Sequence, residues 1–126
     1  MKEESKNILI IDDSISIRNF IRGILEQSGY RIYEACDGEE GIELFKSMGN
    51  IDLVITDVYM PKKTGIEVVI ELGKEYKNTK MIVLSDGGKY NFIDELGLCE
   101  AFGAICFMKK EFVKDSLVEL VNRVLR

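Results

Sequence analysis

The chain has 126 residues, and its 17 Lys and Arg against 22 Asp and Glu give a formal net charge of −5. A chain of this length predicts one domain, residues 1–126, that buries roughly two thirds of its unfolded surface. Neither the acidic nor the basic residues are concentrated in one stretch of the sequence. The sequence therefore argues against a nucleic-acid-binding arm and against a basic patch that would bind a membrane.

The scarce residue types narrow the function further. The chain has no histidine, which removes Ser-His triads, histidine-based zinc sites and a histidine phosphotransfer role for the chain itself. Cys36, Cys99 and Cys106 form no CxxC pair, so we expect reduced thiols in a cytoplasmic protein. The first six residues are polar and predict no signal peptide. No apolar run approaches membrane-spanning length.

The first strand-and-helix unit begins with a buried strand at Ile8–Ile11. Ser14 follows as a helix N-cap, and Gly29 is placed to end that helix as its C′ residue. The inward stripe falls at helical spacing on Ile17, Phe20, Ile21 and Ile24.

The second unit is more polar. Its strand, Tyr30–Ala35, suits the edge of a sheet. Its helix begins at Asp37 and Gly38 and ends at Gly49, with an inner face of Ile42, Phe45 and Met48.

The third unit contains a strand, Leu53–Ile55, that breaks at Asp57. A loop with the only proline, Pro61, follows and closes with Gly65. The helix after it carries an apolar stripe that consists of Ile66, Val69, Ile70 and Gly73.

Two more units complete the pattern. A buried strand, Met81–Leu84, ends at Ser85, and a helix is expected over Lys89–Phe102. The last strand, Ala104–Met108, ends at two lysines. The final helix, Phe112–Leu125, has an apolar face made of Val113, Leu117, Leu120, Val121 and Val124, widened by Val118 and Leu125.

Five alternating strands and helices predict a doubly wound parallel sheet with helices on both faces, a flavodoxin-like α/β fold. The polar second strand suits an edge, which favours the strand order 2-1-3-4-5. The switch point of that order lies between strands one and three. Ligands bind there, just beyond the carboxyl ends of the strands.

Three carboxylates, from Asp12, Asp13 and Asp57, are therefore expected to meet at one crevice. Like charges this close resist joint ionisation unless a cation joins them. Mg²⁺ prefers oxygen ligands and is held in proteins by one or two carboxylates together with a phosphate. The sequence predicts a magnesium site.

The other strand ends supply a hydroxyl, from Ser85, and an ammonium group, from Lys109 or Lys110. A carboxylate nucleophile, a metal, a hydroxyl and a lysine are the groups needed for phosphoryl transfer to an aspartate. Each group alone is a weak signal. Their arrangement at the ends of strands one, three, four and five is a strong one.

With these residues in place, the chain resembles a receiver domain of the two-component response-regulator family. The resemblance covers the chain almost end to end, and the segments that carry it are Ile10–Ser14, Asp57–Pro61 with Gly65, Val83–Ser85 and Gly103–Lys110.

The resemblance implies that Asp57 accepts a phosphoryl group from a sensor histidine kinase or a phosphotransfer protein. It implies a Mg²⁺ ion held by Asp13, Asp57 and the backbone carbonyl of Tyr59, with Asp12 acting largely through water. Such a domain is a signalling switch, not an enzyme beyond its own phosphorylation and dephosphorylation.

The resemblance also assigns roles near the last strand. Ser85 and Lys110 would contact the phosphoryl oxygens, and Ser85 and Phe107 would form the switch. Family spacing selects Lys110 and not Lys109. With no second domain, the chain is similar to the stand-alone regulators of chemotaxis, expected as a monomer or weak homodimer that acts on an unidentified downstream protein.

Four positions depart from the family pattern: Thr64, Asp86, Phe107 and Glu111. Asp86 and Glu111 keep open a degenerate receiver that binds partners without phosphorylation. A flavin-binding carrier of the same fold class is a further alternative, although Asp12 and Asp13 would repel its phosphate. An aspartyl phosphatase normally has an acid/base carboxylate where this chain has Tyr59.

Overall fold

The structure, a computed structural model, describes residues 5–85 and 104–125, and the side chains within them apart from 104–108 and 112. It contains one five-stranded parallel sheet in the order β2-β1-β3-β4-β5, which confirms the predicted order. The strands are β1 (Asn7–Ile11), β2 (Arg31–Ala35), β3 (Leu53–Asp57), β4 (Lys80–Ser85) and β5 (Ala104–Lys109).

Four α-helices and one 3-10 turn accompany the sheet within the described residues. They are α1 (Ile15–Gln27), α2 (Gly38–Met48), α3 (Gly65–Glu75), the 3-10 turn Lys110–Phe112, and α4 (Val113–Leu125). The helix predicted over Lys89–Phe102 lies outside the described residues. Of the helices that the structure describes, none has the length and apolarity to cross a membrane.

The helix ends follow the predicted capping residues. The Ser14 hydroxyl accepts a hydrogen bond from the Ile17 amide at 3.3 Å, and the Asp37 carboxylate accepts one from the Glu40 amide at 2.8 Å. Gly29 and Gly49 have φ of +94° and +72°, the left-handed backbone that ends a helix. Helix α1 therefore begins immediately after the acidic residues that follow β1.

The core lies on both faces of the sheet, because successive residues of a buried strand point to opposite sides. Helices α2 and α3 cover one face, where they pack on Leu9, Ile11, Val54, Met81 and Val83. Helices α1 and α4 cover the other face and pack on Ile8, Ile10, Leu53, Ile55, Ile82 and Leu84.

Two predicted helix faces were partly wrong. Phe20 of α1 is 45% exposed, whereas Leu25 is buried. In α3 the buried side chains are Val68, Val69 and Leu72, while Ile66 and Ile70 are half-buried. Both helices carry more apolar residues than one stripe needs, and the angle at which each helix meets the sheet selects the face.

Candidate functional site

The carboxyl ends of three neighbouring strands bring polar side chains into one crevice. Asp12 follows β1, Asp57 ends β3 and Ser85 ends β4, and all three side chains are buried. The parallel register aligns these ends, since Ile11 pairs with Thr56 and Asp57 pairs with Leu84. This edge of the sheet is the predicted switch point.

Backbone contacts fix Asp57. Its Oδ1 atom accepts a hydrogen bond from the Val58 amide at 2.9 Å, and the Thr56 hydroxyl donates to its carbonyl oxygen at 3.0 Å. The Gly65 amide donates to the Val58 carbonyl at 2.7 Å. A Cβ atom at Gly65 would lie 2.0 Å from the Asp57 carbonyl oxygen, so this close return of the loop requires glycine.

Lys110 reaches the crevice from the 3-10 turn after β5. Its Nζ atom lies 3.1 Å from Asp57 Oδ1 and 3.5 Å from Asp12 Oδ2, and its side chain is mostly buried. The ammonium group therefore stands between the two buried carboxylates and partly offsets their repulsion.

Asp12 is held on one side and open on the other. Its Oδ1 atom accepts a hydrogen bond from the Ser14 amide at 2.9 Å. Its Oδ2 atom is buried and has no hydrogen-bond partner within the described part of the chain. Apart from the ion pair with Lys110 at 3.5 Å, this buried acceptor has capacity for a water or a cation.

The electrostatics of the crevice act most strongly on Asp57. Burial, with the negative charge of Asp12 in addition, raises the pKa of its carboxyl from 3.8 to about 6. Lys110 and the Val58 amide lower the pKa but do not cancel these effects. The charged form of Asp57 is therefore held at a cost in free energy that a bound cation would relieve.

The residues present fit a hard divalent cation. One carboxylate oxygen from each of Asp12, Asp13 and Asp57 can lie within 4.8 Å of the other two. Asp13 is exposed, which leaves room for the waters that Mg²⁺ retains. The buried Asp12 Oδ2 supplies an acceptor for such a water. Tyr59, expected to offer its carbonyl, lies two residues after Asp57 and has an exposed side chain.

The structure places the remaining predicted residues in different ways. Ser85 is buried beside the site at the end of β4, and its register partner Lys109 is half-buried on β5. Phe107 lies on β5, with its side chain outside the described part. Asp86 lies outside the described residues altogether. Glu111 is exposed in the 3-10 turn.

Two pairs of interacting residues around the site were not predicted from the sequence. Thr64, regarded as a departure from the family pattern, is the N-cap of α3 and forms a capping box with Glu67. The spacing Thr-x-x-Glu before an apolar run was the available signal. Arg18 and Glu34 form an ion pair at 3.1 Å behind the acidic loop. The position of Glu34 in the edge strand was the only indication of it.

An open doubly wound sheet with clustered carboxylates and a lysine at its switch point defines a flavodoxin-like α/β protein with an acidic crevice. The family model described as the response regulator receiver domain matches residues 8–122. The chain therefore belongs to the response regulator receiver domain family. Receiver domains are phosphorylation-controlled signalling switches of two-component systems, are not classical enzymes, and bind Mg²⁺ at an acidic pocket.

Individual relatives agree with this assignment. The chain is 33% identical over 120 residues to the chemotaxis protein CheY of Thermotoga maritima, a match that covers 94% of this chain and 97% of that protein. The response regulator TrrA of Thermotoga maritima, solved in complex with Mg²⁺ and BeF, is 37% identical with a TM-score of 0.83. That match covers 95% of this chain and 99% of TrrA.

A third relative was solved with a partner protein. The complex of CheX, CheY, BeF3 and Mg²⁺ from Borrelia burgdorferi contains a chain that is 31% identical to this one, with a TM-score of 0.85. The match covers 96% of this chain and 90% of that one.

Proposed function

We propose that this chain is a signalling switch in which Asp57 accepts a phosphoryl group from a phosphohistidine, in a reaction that depends on Mg²⁺. The observation that carries the proposal is the state of Asp57, a buried carboxylate with a lysine ammonium 3.1 Å away and a raised pKa. Because the chain has no histidine, the phosphohistidine must belong to a sensor histidine kinase or a phosphotransfer protein.

In the transfer, an Asp57 carboxylate oxygen forms the new P–O bond as the P–N bond of the phosphohistidine breaks. The electron pair of that bond stays on the imidazole nitrogen, which then takes a proton from solvent. Lys110 and the Ser85 hydroxyl are proposed to contact the phosphoryl oxygens. The Val58 amide orients the Asp57 carboxylate through Oδ1, and the Thr56 hydroxyl holds the Asp57 backbone carbonyl.

Asp13, Asp57 and the Tyr59 carbonyl are proposed to hold the Mg²⁺ ion, with Asp12 acting through a water. The ion supplies positive charge against the phosphoryl oxygens. The oxygen atoms that support this set are the clustered carboxylate oxygens, among them the buried Asp12 Oδ2, which accepts no hydrogen bond from the described residues.

The proposed output is a change in protein binding. We propose a single receiver domain that acts in the cytoplasm as a monomer or weak homodimer, with Ser85 and Phe107 as the switch pair. The complex of a related CheY with CheX supports a protein partner over a nucleic acid. Catalysis is limited to phosphorylation and dephosphorylation of the chain itself.

Incubation with acetyl phosphate, followed by intact-mass measurement, tests the proposal. We expect the mass of one phosphoryl group to be gained with Mg²⁺ present and not in EDTA. The Asp57→Ala variant should gain nothing under either condition. No gain by the wild-type chain with Mg²⁺ would favour the degenerate receiver, which binds partners without phosphorylation.

A further inference from the structure

A set of charged side chains lies behind the acidic loop and joins α1 to the edge strand β2. The Arg18 Nε atom donates to Glu34 Oε1 at 3.1 Å, and Arg22 Nη1 donates to Glu34 Oε2 at 2.6 Å. Arg18 and Glu34 are mostly buried. The Glu34 carboxylate therefore forms ion pairs with both arginines, which lie one helical turn apart on α1.

Arg18 also makes a contact within the acidic loop. Its Nη1 atom donates to the Asp12 carbonyl oxygen at 2.6 Å. On the other side of the same residue, the Asp12 amide donates to the Ala35 carbonyl of β2 at 3.1 Å. Both backbone polar groups of Asp12 are therefore tied, directly or through Arg18 and Glu34, to β2.

This anchoring matters most for Asp13. The Asp12 carbonyl lies in one rigid plane with the Asp13 nitrogen and Cα, so a contact that fixes the oxygen also fixes where Asp13 leaves the strand. Among the described residues, no hydrogen bond or ion pair holds the exposed Asp13 carboxylate. The backbone therefore sets where the Asp13 side chain starts, and only its own side-chain torsions set the rest.

We propose that Arg18, oriented by Glu34, is a positioning residue that sets the Asp12–Asp13 peptide for cation binding. The inference rests on the proposed function, because the cation site belongs to it. Arg18 contacts neither the cation nor the phosphoryl group, and acts through the Asp12 carbonyl.

Charge alone predicts the opposite effect, which makes the proposal testable by sign. Arg18 carries a positive charge near a cation site, so its removal should tighten Mg²⁺ binding if only Coulomb repulsion mattered. Positioning predicts weaker binding, because the Asp12–Asp13 peptide loses its anchor. Loss of a hydrogen-bond partner behind a metal ligand typically weakens metal affinity about 10- to 100-fold.

The test is calorimetric titration of MgCl2 into the wild-type chain and three variants. Arg18→Met should bind Mg²⁺ about 10-fold more weakly. Arg18→Lys keeps the charge and part of the donor capacity, and should lie between Arg18→Met and the wild type. Arg31→Met removes an exposed arginine at the far end of β2 and should change the affinity less than about twofold. Binding by Arg18→Met that equals or exceeds the wild type would overturn the proposal.

Amide hydrogen exchange in EDTA gives a second readout that needs no metal. The Ser14 amide, bonded to Asp12 Oδ1, should exchange faster in Arg18→Met than in Arg31→Met, and unchanged exchange would contradict the proposal. If Arg18→Met does not fold, Glu34→Gln removes part of the contact that orients Arg18 and should speed exchange of the Ser14 amide by a smaller factor; unchanged exchange would contradict the proposal. If the wild-type chain bound no Mg²⁺, that result would contradict the proposed function. Exchange of the Ser14 amide would then still test the role of Arg18.

Discussion

Replacing Asp57 by asparagine should stabilise the metal-free protein at neutral pH. The side chain keeps its shape and loses its charge, in a place where burial and Asp12 disfavour that charge. The pKa is about 6 in the folded protein, against an ordinary value of 3.8 for an aspartate carboxyl. Because a difference of one in pKa corresponds to about 1.4 kcal/mol, ionised Asp57 destabilises the fold by about 3 kcal/mol relative to its neutral form.

The sign of the pH dependence follows from the raised pKa. Below pH 3.8 the carboxyl is protonated in both the folded and the unfolded chain, and the stability associated with the neutral form is fully present. As the pH rises through about 6, the folded protein must release this proton against burial, and that stability is lost. Asparagine does not titrate, so the gain from Asp57→Asn should be small near pH 4 and reach about 3 kcal/mol near pH 7.5.

Urea unfolding in EDTA at several pH values measures this gain. A difference of about 3 kcal/mol moves the urea midpoint by roughly 1–3 M. Asp115→Asn removes a charge from an exposed position of α4 and should change the free energy of unfolding by less than about 0.5 kcal/mol at either pH. Saturating Mg²⁺ should stabilise the wild type more than Asp57→Asn and narrow the gap. A gap that is the same at pH 4 and pH 7.5 in EDTA would refute the reasoning.

Three further predictions concern backbone and lysine positions. Gly65→Ala should lower the free energy of unfolding by about 1–3 kcal/mol, because its Cβ would overlap the Asp57 carbonyl. Gly23→Ala, in open space on α1, should raise the free energy of unfolding by about 0.5–1 kcal/mol. Urea unfolding compares the two variants, and equal effects would contradict the geometry. Lys62 has φ of +69°, so Lys62→Asn should stabilise the chain by about 0.5–1 kcal/mol, since asparagine tolerates left-handed backbone better; a loss of thermal stability would count against it. Lys110→Ala should suppress the NMR shift changes caused by phosphorylation while Lys109→Ala preserves them; the reverse order would mean that Lys109 serves the site.

The sheet order and the convergence of the acidic residues could be predicted from the sequence, because both follow from the alternation of strands and helices along the chain. In a parallel sheet the carboxyl ends of the strands share one edge, so residues that end β1 and β3 must converge there. Asp12 and Asp57 were found in this way. Family spacing selected Lys110, and the structure places that lysine between the two carboxylates.

The rotation of each helix about its axis could not be predicted. Both α1 and α3 have apolar residues on more than one face, and only contact with the twisted sheet selects Leu25 over Phe20. The Arg18–Glu34 pair depends on the same rotation, since it requires one face of α1 to meet a side chain of β2. Such contacts are tertiary, and the spacing of residues within one helix or strand does not predict them.

The most direct test of the account identifies the phosphorylated residue itself. The chain is incubated with acetyl phosphate and Mg²⁺, the aspartyl phosphate is reduced with borohydride to homoserine, and the digested peptides are sequenced by mass spectrometry. The account predicts homoserine at position 57, none at Asp12 or Asp13, and none anywhere when EDTA replaces Mg²⁺. Homoserine at another aspartate, or an equal yield at position 57 in EDTA, would contradict it.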